Sequence, residues 1–155
     1  MTERGRPSIL PPSPFDSELG TEWLSTDPDG AHARLEMRDR HRQPMGIMHG
    51  GVIASVIESL CSMATGVAVF QENRIAMGQS ISISFLRPVT GGAIDVRAVA
   101  EHAGRMTWVW RATVTDSEDK VCAVANMTVA VREAPDGVDL EALARSAVEQ
   151  GHGSA

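Results

Sequence analysis

Val52, Ile53, Val56, Ile57, Leu60, Met63 and Ala64 recur at helical spacing, and at ~100° per residue they cover a broad apolar arc. Gly51, Ser55, Glu58, Ser62 and Thr65 share the remaining arc. A surface helix fills that arc with Lys, Arg and Glu, yet Glu58 is the only charged residue between Gly50 and Gln71. The pattern predicts a helix covered on nearly all sides, with one carboxylate facing a confined polar groove.

Elsewhere the period is two. His32, Arg34, Glu36 and Arg38 alternate with Ala33, Leu35 and Met37, predicting a strand over 31–38 after the turn residues Asp27, Pro28, Asp29 and Gly30. Over 76–86, Ile81, Ile83 and Phe85 alternate with Ser80, Ser82 and Ser84, and Arg87-Pro88 ends the run. Over 93–102, Ile94, Val96, Ala98 and Ala100 alternate with Asp95, Arg97, Val99 and Glu101. Residues 106–115 place Met106, Trp108, Trp110, Ala112 and Val114 on one face, and after a turn at 116–119 a last strand is predicted over 121–132. One long apolar helix followed by consecutive antiparallel strands predicts an α+β fold, an antiparallel sheet wrapped around one central helix.

The ends of the chain read differently. Pro7, Pro11, Pro12 and Pro14 mark residues 1–18 as a flexible Pro-rich arm. Residues 19–133 form the domain, opening on a short segment at 19–24 for which no strand is predicted. Within the extension at 134–155, an acidic first turn followed by Leu140, Leu143, Ala144 and Val148 predicts a peripheral helix over 139–148.

With 155 residues, 43% of them hydrophobic, the chain suffices for one domain with a core and is too short for two. A formal charge of −6 argues against nucleic acid as a partner, since phosphate backbones need a basic footprint. Cys61 and Cys122 offer neither a disulfide framework nor metal-ligand spacing, and both suit small buried fillers in a reducing cytoplasm. The first residues lack the apolar core of a secretory signal. The uncharged run at 59–71 falls short of the ~20 residues that span a bilayer, so a cytoplasmic protein without membrane contact is expected.

Candidate chemistry concentrates at His49-Gly50-Gly51, where the helix begins. The first turn of a helix exposes N–H groups without intrahelical partners and the positive end of the dipole, so it can hold an oxyanion. Two glycines remove side chains that would block a carbonyl from reaching that backbone. Taken alone, Glu58 is equally a buried acid paired with an arginine or a site carboxylate, whereas a lone His49 is more often a helix-entry residue satisfied by backbone and becomes a carbonyl-polarising or positioning candidate through its place beside Gly50-Gly51. Ser55 and Ser62 could simply bond back to the preceding turn. Trp108 and Trp110 suit a core or an interface.

The arrangement resembles the hotdog-fold acyl-CoA thioesterases, in the branch of the PaaI-like enzymes and the Glu-on-helix 4-hydroxybenzoyl-CoA thioesterases. Gln43 matches that family's polar residue before the turn, His49 its turn histidine, Gly50 its oxyanion amide, Glu58 its helix carboxylate and Ser62 the hydroxyl one turn later. His49 lies six positions after Gln43, and Glu58 nine after His49. The segments at 78–80, 84–89, 102–104, 107–108 and 122–124 resemble the same branch, so the likeness runs over about 23–132.

The resemblance implies hydrolysis of an acyl-CoA thioester, with coenzyme A as part of the substrate and no cofactor or metal. Glu58 would act as general base or nucleophile, with Gly51, Met63, Arg87, Arg105 and Arg132 as further substrate contacts, the arginines for the coenzyme A phosphates. It further implies sites formed between subunits of a homo-oligomer, a dimer at least and by preference a tetramer. Met63 departs from the 4-hydroxybenzoyl branch, which has an acid one position after the hydroxyl, and favours a less polar aryl or medium-chain acyl group. Two other classes share these residues. A hotdog enoyl-CoA hydratase or dehydratase would use the histidine and carboxylate for proton abstraction, and a non-catalytic acyl-CoA-binding protein would keep the groove without needing Glu58.

Overall fold

The computed structural model describes residues 13–140 and 142. A short helix α1 (Pro14–Leu19) leads into strands β1 (Thr21–Ser25) and β2 (Ala31–Glu36). The long helix α2 (Gly50–Val69) follows, then β3 (Arg74–Phe85), β4 (Ala93–Ala103), β5 (Thr107–Thr115) and β6 (Val121–Glu133). The six strands form one antiparallel sheet in the order β1-β2-β4-β5-β6-β3. α2 packs against β2, β3, β4, β5 and β6, giving the hotdog architecture, a sheet wrapped around a helix.

The predicted periodicities meet in the core. Ile53, Val56, Ile57, Leu60, Cys61 and Ala64 of α2 are buried against Leu35 of β2, Ile94 and Val96 of β4, Trp110 and Val114 of β5, and Met127 and Val129 of β6. By length and composition the helical stretch Gly50–Glu72 would suit a bilayer span, contrary to the expectation from the uncharged run alone. Here its apolar arc is instead the core of the domain. Trp108 and Trp110 stack with ring centroids 5.9 Å apart. The buried indole N–H of Trp110 donates to Thr65 Oγ1 at 2.9 Å, and that hydroxyl donates to the Cys61 carbonyl at 2.8 Å. The polar arc of α2 therefore holds one structural hydroxyl as well as the site residues.

The start of the chain corrects the sequence reading. Residues 14–18 are not part of an extended arm but belong to α1. Ser13 caps the helix by accepting from the Asp16 N–H, Pro14 occupies a first-turn position where no N–H is needed, and Gly20 closes it at φ +80°. The segment at 19–24 contains β1, paired antiparallel with β2. β2 stops at Glu36, short of the predicted Arg38, because the Met37 N–H turns to the Gly92 carbonyl and residues 39–41 form a 3₁₀ turn. Residues 1–12 and nearly all of the helix expected over 139–148 lie outside the described residues.

β3 carries a feature that simple alternation conceals. It pairs with β6 along its length, but the register shifts between Gly78 and Ser80, so Gln79 is an extra residue in a bulge. Beyond the bulge Ile81, Ile83 and Phe85 stand opposite Met127, Ala125 and Ala123 on the inner face. Before it, Ala76 and Gly78 stand opposite the buried Val131 and Val129. The bulge thus switches the inward set from even to odd positions.

Thr65→Val keeps the side chain's shape but leaves the Trp110 N–H without its acceptor. The expected cost is about 1–3 kcal/mol of unfolding free energy. Equilibrium denaturation measures it, and an unchanged midpoint would show that the hydroxyl does not hold the indole.

Candidate active site

The loop between β2 and α2 is fixed by His41, which is only 1% exposed. Its Nδ1 accepts from the Arg38 N–H at 3.0 Å, so Nε2 carries the proton and donates to the Leu19 carbonyl at 2.9 Å. Its own carbonyl accepts the His49 N–H at 2.7 Å. One buried neutral imidazole therefore ties the end of α1, the 3₁₀ turn and the entry to α2 together. Burial holds its pKa below the usual 6.5, and the nearby Arg40 and Arg38 act in the same direction, against the opposing effect of the Leu19 bond.

His49 is the N-cap of α2. Its Nδ1 accepts from the Gly51 N–H at 2.8 Å, leaving the Nε2–H of the neutral ring available as a donor. Gly51, expected to contact substrate, thus has its N–H committed to the cap. The Gly50 N–H has no hydrogen-bond partner among the described residues. A side chain on Gly50 would run into the Phe85 ring, whose Cζ lies 2.9 Å from the ideal Cβ position. Phe85, noted in the sequence only for its strand alternation and its place in the 84–89 segment, therefore flanks the candidate oxyanion position.

Gln43 also serves this loop. Its N–H donates to the Ile47 carbonyl at 2.9 Å, its carbonyl accepts from Gly46 at 2.8 Å, and its side-chain oxygen accepts the Met45 N–H. No described contact joins it to Glu58. Ser55 bonds back to the Gly51 carbonyl at 2.8 Å, the ordinary fate of a helical serine.

Glu58 and Ser62 come together one turn apart, Ser62 Oγ donating to Glu58 Oε1 at 2.9 Å. Glu58 Oε2 accepts no hydrogen bond among the described residues and keeps some exposure on the half-buried side chain. Burial pushes the Cys61 thiol up to about 12, with the Glu58 carboxylate adding to the effect, so the thiol stays protonated and is no rival nucleophile.

The three candidate arginines do not form one site within a chain. Arg87 follows β3 beside Cys122, whose carbonyl accepts its N–H, whereas Arg132 lies at the other end of β6 and bonds the Met106 carbonyl at 3.0 Å. Arg105 neighbours that second end, where its carbonyl accepts from the buried Arg74.

A sheet wrapped around one helix defines the hotdog class, and here it presents a capped helix entry with an uncommitted N–H and a carboxylate held by a hydroxyl. The sequence profile of the thioesterase superfamily matches residues 45–123, and the chain belongs to that family of thioester-hydrolysing enzymes. A Mycobacterium tuberculosis protein that bears the name "putative esterase" is 38% identical over 112 residues, spanning 71% of this chain and 80% of the relative. The 1,4-dihydroxy-2-naphthoyl-CoA hydrolase of Listeria monocytogenes is 29% identical over 74% of this chain and 93% of its own length. Among solved structures, a thioesterase from Haemophilus influenzae superposes with a TM-score of 0.74 at 30% identity, covering 81% of this chain and 87% of that one.

The His41 geometry predicts a specific pH dependence. Its folded pKa is depressed, so between that value and 6.5 the unfolded chain binds more protons than the folded one. Its contribution is complete above about pH 7 and is lost as pH falls through 6.5 toward the folded pKa, with a slope of up to ~1.4 kcal/mol per pH unit. Unfolding free energies of wild type and His41→Gln at about pH 5.5 to 7.5 test this, because the variant must lose that slope. Parallel pH profiles would refute it.

Proposed function

We propose that the protein hydrolyses acyl-CoA thioesters of aryl or medium-chain acids to free acid and coenzyme A. The observation that carries this reading is the Glu58 carboxylate, with one oxygen held by Ser62 and the other open, on a helix otherwise free of charge. The thioester oxygen accepts from the Gly50 N–H at the positive end of α2. As the carbonyl carbon becomes tetrahedral, that oxygen gains charge and the fixed amide stabilises it more than it stabilises the ground state. Glu58 takes a proton from the attacking water, or attacks the carbonyl itself to form a mixed anhydride that water then cleaves. Coenzyme A leaves as the thiol, and neither route calls for a metal or a cofactor.

The site is shared between two copies of the chain. Gly50 and Glu58 are eight positions apart on one helix, which is about 12 Å of rise. A single carbonyl group bound at one cannot be attacked from the other. β3, the terminal strand of the sheet, is largely exposed along its central residues. Pairing of two such edges about a two-fold axis would set the two α2 helices antiparallel, with the N-terminus of each toward the middle of the other. Dimers of this kind would pair further into a tetramer.

The acyl group follows from Met63, half-buried one position beyond Ser62 on α2. A flexible thioether favours hydrocarbon or unsubstituted aryl groups. The Listeria relative, whose named substrate is a dihydroxylated naphthoyl thioester, supports an aryl-CoA.

Glu58→Gln should lower thiol release from acyl-CoA by about 10²–10⁴-fold while binding of an inert analogue persists. Mixing Glu58→Gln with Gly50→Val chains should restore about a quarter of wild-type activity, because half the dimers then hold one intact site. Full activity of Glu58→Gln sinks the carboxylate's role, and mixing without recovery sinks the shared site. Comparison of kcat/KM for phenylacetyl-CoA and 4-hydroxybenzoyl-CoA should favour the former by roughly one to two powers of ten, since a buried hydroxyl without a partner costs about 1–3 kcal/mol. Preference for the hydroxylated substrate would refute the part given to Met63.

A further inference from the structure

We propose that Gly78 is a positioning residue, whose missing side chain fixes where the Glu58 carboxylate stands. The inference rests on the hydrolytic role of Glu58 proposed above. A Cβ built on Gly78 would lie 2.3 Å from Glu58 Oε1, 3.2 Å from Glu58 Cδ and 2.9 Å from Met127 Cε. The carboxylate therefore lies directly against the backbone of β3. The same Oε1 accepts from Ser62 at 2.9 Å, so it is gripped between a hydroxyl of its own helix and a bare stretch of the edge strand. Oε2 is the oxygen left to react.

The strand is shaped for this contact. In an unbroken alternation Gly78 and Ile81, three positions apart, would face opposite sides of the strand; the bulge at Gln79 lets Gly78 and the Ile81, Ile83, Phe85 set all face α2. A glycine inside a strand lacks a side chain to pack and weakens the element, and it commonly marks close approach of another group. Here the approaching group is the carboxylate. Because β3 is the exposed edge of the sheet, the grip also holds Glu58 at the flank where a second copy would bring its Gly50.

An alanine at this position must displace the carboxylate. The contact falls about 1 Å short of ordinary van der Waals separation, and a misplacement of that size can cost about 10²-fold in rate. Gly78→Ala is therefore expected to lower kcat about 10²-fold with KM and melting temperature close to wild type. Glu58→Asp withdraws the carboxylate by about one bond length, ~1.5 Å, so adding Gly78→Ala to Glu58→Asp should cost little more activity. Losses that multiply in the double variant would overturn the proposal, as would a Gly78→Ala rate near that of wild type.

Folding supplies a second reading. If Gly78→Ala alone fails to melt cooperatively, Glu58→Ala/Gly78→Ala should melt like Glu58→Ala, because the carboxylate is gone and the remaining close atom, Met127 Cε at 2.9 Å, is the far end of a flexible side chain that can give way. A double variant that also fails to fold shows that the strand needs the glycine for its own sake and overturns the proposal. Glu58→Gln separates the two ideas. If that variant is inactive while Gly78→Ala is unimpaired, only the positioning role falls; if Glu58→Gln turns over normally, the hydrolytic reading falls first.

Discussion

The structure depends on how α2 is covered. Its apolar arc drives it out of water from nearly every side, yet a sheet of six strands can wrap a helix only partway before its two edges are reached. β3 is the edge that comes to rest over Glu58. The helix is therefore sealed along Ile53, Val56, Ile57, Leu60, Cys61 and Ala64 and left more open along the flank that carries the single charge in its sequence. Burial and reactivity are two readings of one arrangement, because the hydrophobic driving force itself decides which side of α2 remains accessible.

Most of the polar groups near the helix are already engaged in holding it. Thr65 anchors an indole, Ser55 returns to its own backbone, His41 stitches the entry loop, and His49 and Gln43 hold the turns that lead into α2. Among the groups left uncommitted in the described residues are one amide at the helix start, the Nε2–H of His49 and one carboxylate oxygen. Low-dielectric surroundings make such groups effective because little else competes for them, and they require no reorganisation when charge develops. The thiol beside Glu58 is kept protonated by the same burial that excludes water from the core.

The long helix, the alternating strands, the His49 turn that opens α2 and the Glu58–Ser62 pair were legible because each follows from a period or a spacing. β1 and α1 were not, for different reasons. Glu22, Trp23 and Leu24 show no alternation and become a strand only by pairing with β2, whereas Ser13, Pro14 and Gly20 are ordinary cap signals that the surrounding prolines obscured. His41 was not legible because, beside its local bond to the Arg38 N–H, its importance comes from the Leu19 carbonyl 22 positions earlier and the His49 N–H at the entry to α2. The division of the arginines between two ends of the sheet is equally tertiary. Gly78 is the intermediate case, a glycine within a strand pattern that signals a bulge or close approach but does not name the group that approaches.

The bulge at Gln79 has a bearing on how this chain can change over evolutionary time. Loops ordinarily absorb the gain or loss of single residues, and strands with one uniform face can sometimes slide to compensate. β3 has one place where it can do so. Losing Gln79 alone would leave an unbroken alternation in which Gly78 still stands opposite Val129 and Ile81 opposite Met127, so both inward sets survive. A residue lost anywhere else in the strand would reverse the faces of every position between it and the bulge. An alignment of descendants should therefore show gaps in β3, if any, at Gln79.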